Sequence, residues 1–430
     1  MARGSVRKKG KKWYYRFYVT DSQGNRVQRE FVGTESKTET EAMLRKAMTQ
    51  PIMFQPEVMI CQIKLSELLD QWRDQALMPG MLSSGTVDTY CGVINRIKKY
   101  PIAEMALSRI TTDDLQHFMD HLFYGGINAD GSFQPSLSLN YRRIFFSILT
   151  NALHYAVYPR GWISSSPMQY VTLKSKERSM DLFSEKIISG IPVINHETFL
   201  QLENYLRKKK NPALLPIQIS YYTGLRLGEV CGLIWPDIDF SQQQILVRRS
   251  LWYNKTRKVH EIGPTKRNKT RVVFFGDRLA DILNAAREKQ ARQKKRLKED
   301  ICKNYYREVL EGNHIHYDIT TMITGIEPEK IYHKLDLVCI RPDGSIEYPD
   351  TIGIVCRSVR TNIPGLENFH FHQLRHTYTS NLLSKGASPK DVQELLGHSD
   401  VRTTMNIYAH ASDTAKRNAA KLMDSLEDGK

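Results

Sequence analysis

Apolar residues along this chain change their spacing several times, and the changes divide it into parts. Near the start, Trp13, Tyr15, Phe17 and Val19 alternate with Tyr14, Arg16, Tyr18 and Thr20, which is the period of a strand. Asp21-Ser22-Gln23-Gly24-Asn25 supplies turn residues, and Arg26 to Phe31 reads as a second strand. Thr38 and Glu41 form a capping box that opens a helix reaching about Met48. From about Gln62 the period lengthens. Leu65, Leu68, Leu69, Trp72 and Ala76 follow helical spacing, and Thr86 to Lys99 predicts a helix that ends before Pro101. Thr112 starts another, with Leu115, Phe118, Met119 and Leu122 inward. In Leu139 to Tyr158, Tyr141, Ile144, Phe145, Ile148, Leu149, Ala152 and Tyr155 make one stripe, which predicts a core-facing helix.

Residues 176–192 begin polar and end at Gly190 and Pro192, the composition of a linker. Beyond them the pattern is mixed. Asn195 caps a helix carrying Leu200, Leu202 and Leu206, and Pro212 to Tyr222 is another. Ile245 to Trp252 and Arg271 to Phe275 read as strands around a polar, turn-rich stretch. Arg278 to Glu311 reads as one long charged helix, 313–365 as irregular, and helices resume near Gln373, Pro389 and Ser412. The expected fold class is multidomain, mainly α with small β-sheets. A strand-plus-helix domain (1–55) and a helical domain (60–175) precede the linker (176–192) and a mixed α/β domain (193–430).

Charge narrows the partners. The chain has 430 residues and a formal net charge of +16, and a globular protein this basic calls for a polyanionic partner, nucleic acid first. Arg7, Lys8, Lys9, Lys11, Lys12 and Arg16 crowd the first strands, and Arg142 and Arg143 lie on the Leu139 helix. All eight are candidates for contact with DNA phosphates. The six cysteines are scattered with no CxxC pair, as expected of reduced thiols. No apolar run is long enough to span a bilayer, and the basic N-terminus lacks an apolar signal core. The expected location is cytoplasmic.

Candidate chemistry concentrates after residue 220. In Thr223-Gly224-Leu225-Arg226-Leu227-Gly228-Glu229, an arginine stands where one helix ends at glycine and another begins, beside free helix N–H groups. That placement suits a bidentate grip on phosphate, with Glu229 orienting Arg226. Gly263 to Arg271 places Lys266 and Lys269 at a hairpin edge, where a lysine with a lowered pKa can donate a proton. His372 and Arg375 are three apart and share a helix face. His398 follows in Leu-Leu-Gly-His-Ser, and Tyr408 comes ten residues later. His314, His316 and Asp318 fit no strong zinc spacing and read as a solvated loop. No glycine-rich Walker loop is present.

The order Arg226, Lys266, His372-x-x-Arg375, His398, Tyr408 resembles the tyrosine recombinase (phage integrase) family across the whole catalytic half. The two upstream segments resemble the arm-binding and core-binding domains of integrases from phages and conjugative transposons. Gln373 stands where the family commonly has Asp, and the stretch from Phe275 to Asn368 is long. The resemblance implies a site-specific recombinase that integrates or excises a mobile element. Arg226 and Arg375 would hold the phosphate, and Tyr408 would attack it to give a 3′-phosphotyrosine. Lys266 would protonate the leaving 5′ oxygen, His372 would take the tyrosine proton, and His398 would bond the phosphate. The scheme calls for no metal and no nucleotide cofactor. It implies double-stranded attachment sites, a homotetramer on DNA, and an excisionase or host DNA-bending protein as accessory partner. The competing classes are a type IB topoisomerase-like relaxing enzyme and a non-catalytic DNA-binding regulator.

Overall fold

The computed structural model describes residues 4–10, 12–20, 26–49, 62–79, 82, 84–128, 130–175, 193–265, 268–311, 314–323 and 329–397. Lys11, the turn at 21–25, the expected linker at 176–192, Lys266, His398, Tyr408 and the expected helix after Ser412 lie outside them. The chain divides into two compact units, Met1–Arg178 and Ser179–Lys430.

The first unit opens with an antiparallel sheet of β1 (Ser5–Lys9), β2 (Lys12–Thr20) and β3 (Arg26–Val32). α1 (Lys37–Thr49) packs on it and starts earlier than the Thr38 capping box predicts, because the Ser36 hydroxyl accepts from the Glu39 amide. Register decides which basic side chains share a surface. Arg7 lies opposite Tyr14, Lys9 opposite Lys12, and Arg16 opposite both Ser5 and Glu30. Side chains alternate across a sheet, so Arg7, Lys9, Lys12, Arg16, Tyr14 and Tyr18 occupy one face. Tyr15, Phe17 and Phe31 occupy the other, with ring centroids 5.4 Å apart from Tyr15 to Phe31 and from Phe17 to Phe31. Lys8 pairs with Trp13 in register and belongs to that second face.

The helices of this unit follow the apolar stripes closely: α2 (Leu65–Trp72), α3 (Ser84–Ile97), α4 (Thr112–Tyr124) and α5 (Leu139–Val157). Their buried faces meet in one core that includes Leu68, Ile94, Leu115, Phe145, Ile148 and Leu149. Each such side chain contributes about 1.5–3 kcal/mol by leaving water. A two-stranded hairpin, β4 (Gly126–Ile127) with β5 (Phe133–Gln134), interrupts α4 and α5. Arg142 corrects an expectation. It is only 2% exposed, its guanidinium donates to the Leu137 and Lys174 carbonyls at 3.1 and 2.6 Å, and it lies over the Phe123 ring. It ties the start of α5 to the chain near residue 174, so the exposed neighbour Arg143 is the member of the pair open to a phosphate.

In the second unit, α6 (His196–Lys208), α7 (Leu214–Thr223) and α8 (Leu227–Cys231) come first. Asn195 caps α6 by accepting from the Thr198 amide at 2.7 Å. The single strand expected at 245–252 is two strands in different sheets. β7 (Gln244–Val247) pairs with β6 (Ile238–Asp239) and β10 (Arg271–Phe274), whereas β8 (Arg249–Asn254) pairs with β9 (Val259–Pro264). The corner between them is pinned by buried Asp237, which accepts from both Arg248 and Arg249. β9 and β10 thus belong to different sheets and do not pair, so they are not the two arms of the expected hairpin.

The long helix ends early. α9 (Asp277–Leu297) stops at Lys298, whose φ of +46° breaks the helical path. β11 (Cys302–Glu311) and β12 (His314–Ile323) follow as an antiparallel hairpin, and β13 (Tyr332–Leu335) adds to β11. These strands extend the β8–β9 pair to five, in the order β13-β11-β12-β9-β8. His314, His316 and Asp318 thus lie on a strand, not in a loop. Asp318 accepts from Arg257 at 2.6 and 3.2 Å, and His316 Nδ1 is 3.1 Å from Glu261. α10 (Pro349–Asn362), α11 (His372–Ser384) and α12 (Pro389–Leu396) complete the described chain, so the region expected to be irregular holds strands and a helix. Among the described residues no helix is long and apolar enough to cross a membrane, and no group of three His, Cys, Asp or Glu residues could hold a metal ion.

Candidate active site

Four elements of the second unit converge on one charged cluster. The α7–α8 corner supplies the first arginine. α7 ends at Gly224, whose φ is +67°, and a Cβ there would lie 2.6 Å from Tyr378 and 2.7 Å from Leu396. Only glycine meets both demands. Two residues on, Arg226 is the N-cap of α8. Its backbone N–H and its guanidinium each donate to Glu229, both at 2.9 Å. The Arg226 side chain keeps 35% of its exposure, while that of Glu229 keeps 3%.

α11 supplies the second arginine. Arg375 is 1% exposed. One terminal nitrogen donates to the Gly224 carbonyl and the other to the Leu396 carbonyl, both at 2.7 Å. Its Nε is buried with no hydrogen-bond partner among the described residues. Both carbonyls lie at helix ends, where oxygens lack partners within the helix. Arg375 therefore joins the end of α7 to the end of α12 while sitting beside Arg226.

β10 supplies a third arginine, which the motif reading passed over. Arg271 donates to both carboxylate oxygens of Glu229, at 2.7 and 3.1 Å, and from Nε to the Leu395 carbonyl at 3.0 Å. Nothing local distinguishes it in the run Lys266 to Arg271. The available signal was its return on a strand directly after that loop.

The balance of charge is unequal. Three guanidinium groups face one carboxylate, and among the described residues no second acid offsets them. Burial alone would raise the Glu229 carboxyl, but the Arg271 hydrogen bond and the charges of Arg271 and Arg226 hold it at about 2. Burial and the charge of Arg226 push the Arg375 guanidinium down to about 9. His372 stands on the first turn of α11 with its ring edge-on to His376 at 4.7 Å. Partial burial, then the charges of His376, Arg375 and Arg226, lower its pKa to about 4. It is thus neutral at pH 7 and able to accept a proton. A cluster with surplus positive charge, forked donors and a neutral imidazole beside it is suited to an anion with several oxygens, and phosphate fits best.

Of the six sequence-predicted catalytic residues, the structure brings Arg226, His372 and Arg375 together; Lys266, His398 and Tyr408 lie outside the described residues. Thr265 and Asn268 flank the Lys266 position, and the Asn268 amide donates to the Thr265 carbonyl at 2.8 Å. Gly397, left-handed at φ +67°, immediately precedes the His398 position.

Comparison with known proteins adds to this geometry. The model of the phage integrase family matches residues 193–415. A tyrosine recombinase XerC-like protein of Caldanaerobacter subterraneus subsp. tengcongensis is 26% identical over 99% of this chain and 100% of its own length. Tyrosine recombinase XerC of Listeria monocytogenes serotype 4a is 30% identical over 58% of this chain and 64% of its own. Among solved structures, the Tn1549 transposon integrase in complex with transposon right end DNA superposes with a TM-score of 0.55 at 16% identity. That match covers 84% of this chain and 100% of that one, and it speaks for the fold.

Proposed function

The chain belongs to the phage integrase family of tyrosine recombinases, and from that premise we propose that it is a site-specific DNA recombinase serving the integration or excision of a mobile element. The observation that carries the reading is the cluster of half-exposed Arg226 with buried Arg375 and Glu229 and neutral His372 beside it, inside the span that matches the family. In this reading the two arginines bind the nonbridging oxygens of a DNA phosphate and stabilise the charge that develops as it is attacked. Tyr408 is the nucleophile, and the bond it forms to the 3′ phosphate conserves the energy needed to rejoin the strand. His372 takes the tyrosine proton, Lys266 protonates the departing 5′ oxygen, and His398 bonds the phosphate. A 5′ hydroxyl from a second duplex then reverses the attack, so the working assembly is a tetramer on two duplexes.

The test is a nicked suicide duplex carrying the recognition site, incubated with the full chain. Wild type should give an SDS-stable protein–DNA adduct, and Tyr408→Phe should give none while binding the duplex normally. Absence of an adduct with wild type would overturn the enzymatic reading in favour of a DNA-binding regulator. On a paired-site plasmid, relaxation without exchanged junctions would favour the topoisomerase-like reading.

The open sheet face of the N-terminal segment supports a mobile-element integrase, with Arg7, Lys9, Lys12 and Arg16 as contacts to a second class of DNA site. The XerC and XerC-like relatives favour a second reading, a XerC-like recombinase, for which we take exchange between like sites as the mark. Exchange between two unlike sites would support the first, and exchange confined to identical sites the second. Arg16→Ala should weaken duplex binding and reduce the slope of log affinity against log salt by about one. Lys8→Ala, on the opposite face, should leave that slope nearly unchanged. Equal slopes for the two variants in a salt titration would refute the assignment of faces.

A further inference from the structure

Arg271 donates to protein acceptors from all three of its guanidinium nitrogens. Both of its terminal nitrogens go to Glu229 and its Nε goes to the Leu395 carbonyl. Glu229 in turn holds the backbone and the guanidinium of Arg226. One carboxylate therefore carries four donated bonds, and the two from Arg271 span both oxygens and fix its plane. With Arg271 removed, Glu229 would be held from the Arg226 side alone and could turn, and Arg226 would turn with it.

The second link runs to α12. Its last turn presents the Leu395 and Leu396 carbonyls to two different arginines, Arg271 and Arg375. Gly397 follows directly, and a Cβ built on it would lie 3.1 Å from Arg271 Cδ. The chain thus leaves α12 against the Arg271 side chain. Two parts of the site, the Arg226 corner and the end of α12, share this one residue as a neighbour.

We propose that Arg271 is a positioning residue of the cleavage reaction: through Glu229 it holds Arg226 in the attitude that grips phosphate, and through the Leu395 carbonyl it fixes the exit of α12 relative to that arginine. The proposal rests on the reading of the chain as a recombinase. Lysine does not replace it, because one ammonium cannot span both carboxylate oxygens and also reach a carbonyl. The simpler alternative is a helix-end cap that matters for folding alone.

The experiment uses the full chain and a nicked suicide duplex whose site is selected from random-sequence duplex by binding to wild type. Duplex affinity and single-turnover adduct formation at saturating protein are measured for wild type, Arg271→Gln, Arg271→Lys, Glu229→Gln and the Arg271→Gln/Glu229→Gln pair. Arg271→Gln should lower saturated cleavage about a hundredfold, the scale of a small misplacement of a reacting group, with affinity within about threefold. The double variant should be no slower than the slower single one, because both changes break the same contact. Arg271→Gln should also add to the acid-side fall that protonation of His372 at about 4 already gives wild type, because the Glu229 carboxyl returns from about 2 toward its ordinary range. Wild-type cleavage in folded Arg271→Lys, or a double variant that multiplies the two single losses, would overturn the proposal. A wild type that forms no adduct would remove the recombinase reading and this role with it. Adduct formation by wild type with unchanged rates in the variants would remove this role alone.

Discussion

Arg375→Gln should lower strand cleavage by about a thousandfold or more, the range seen when a charged transition-state donor is removed. Two effects act together. The phosphate loses a guanidinium held in a dry pocket, where each charge–dipole contact is stronger than in water. The Gly224 and Leu396 carbonyls, each bonded to Arg375 at 2.7 Å, also lose their donors, so the ends of α7 and α12 loosen. Arg375→Lys separates the two effects. It keeps a charge but cannot reach both carbonyls, so it should recover part of the binding and little of the rate. The measurement is single-turnover adduct formation beside duplex affinity and thermal midpoint. Near-normal cleavage in a folded Arg375→Gln protein would show that this arginine only fastens helices.

Glu229→Gln should cost the second unit about 3–5 kcal/mol, as expected when one partner of a buried charge network is removed. The glutamine fits the volume but leaves Arg226, Arg271 and Arg375 repelling one another. The pH dependence follows from the carboxyl, which sits at about 2 in the fold against an ordinary 4.5. The folded state thus binds that proton more weakly than the unfolded chain does. Its contribution, on the order of 3 kcal/mol, is complete above the unfolded value and is lost as pH falls through about 2. Denaturant midpoints of wild type and Glu229→Gln should differ clearly at pH 7 and draw together toward pH 2. Equal midpoints at pH 7 would refute the account.

The helices of the first unit were legible because their physics is local. A stripe such as Phe145, Ile148, Leu149 and Ala152 has one way to leave water, and all four are fully buried. The Arg226 corner was legible for a similar reason, since Gly224 and Glu229 lie within a few residues of it. The β11–β12 hairpin was not. Its charged residues find partners on the neighbouring β8–β9 hairpin, as Asp318 does with Arg257 in the turn and His316 with Glu261 on β9, so the strands lack a clean alternation of apolar and polar positions. The preceding charged helix then seemed to run on through them. Arg271 was hidden by distance: its partners are 42 residues upstream and 124 downstream. Arg142 shows the reverse error. A basic residue on a helix resembles a phosphate contact until the fold supplies two carbonyls for it.

The surplus positive charge around Glu229 also bears on how the protein behaves in the tube. Without an anion the cluster holds the like charges of Arg226, Arg271 and buried Arg375 close together, so the anion-free protein is the less stable member of a binding equilibrium. A polyanion that binds there stabilises the fold in proportion to the logarithm of its concentration over its dissociation constant. Nucleic acid carried through purification would then act as an unintended excipient, and stripping it with high salt would trade shelf life for purity.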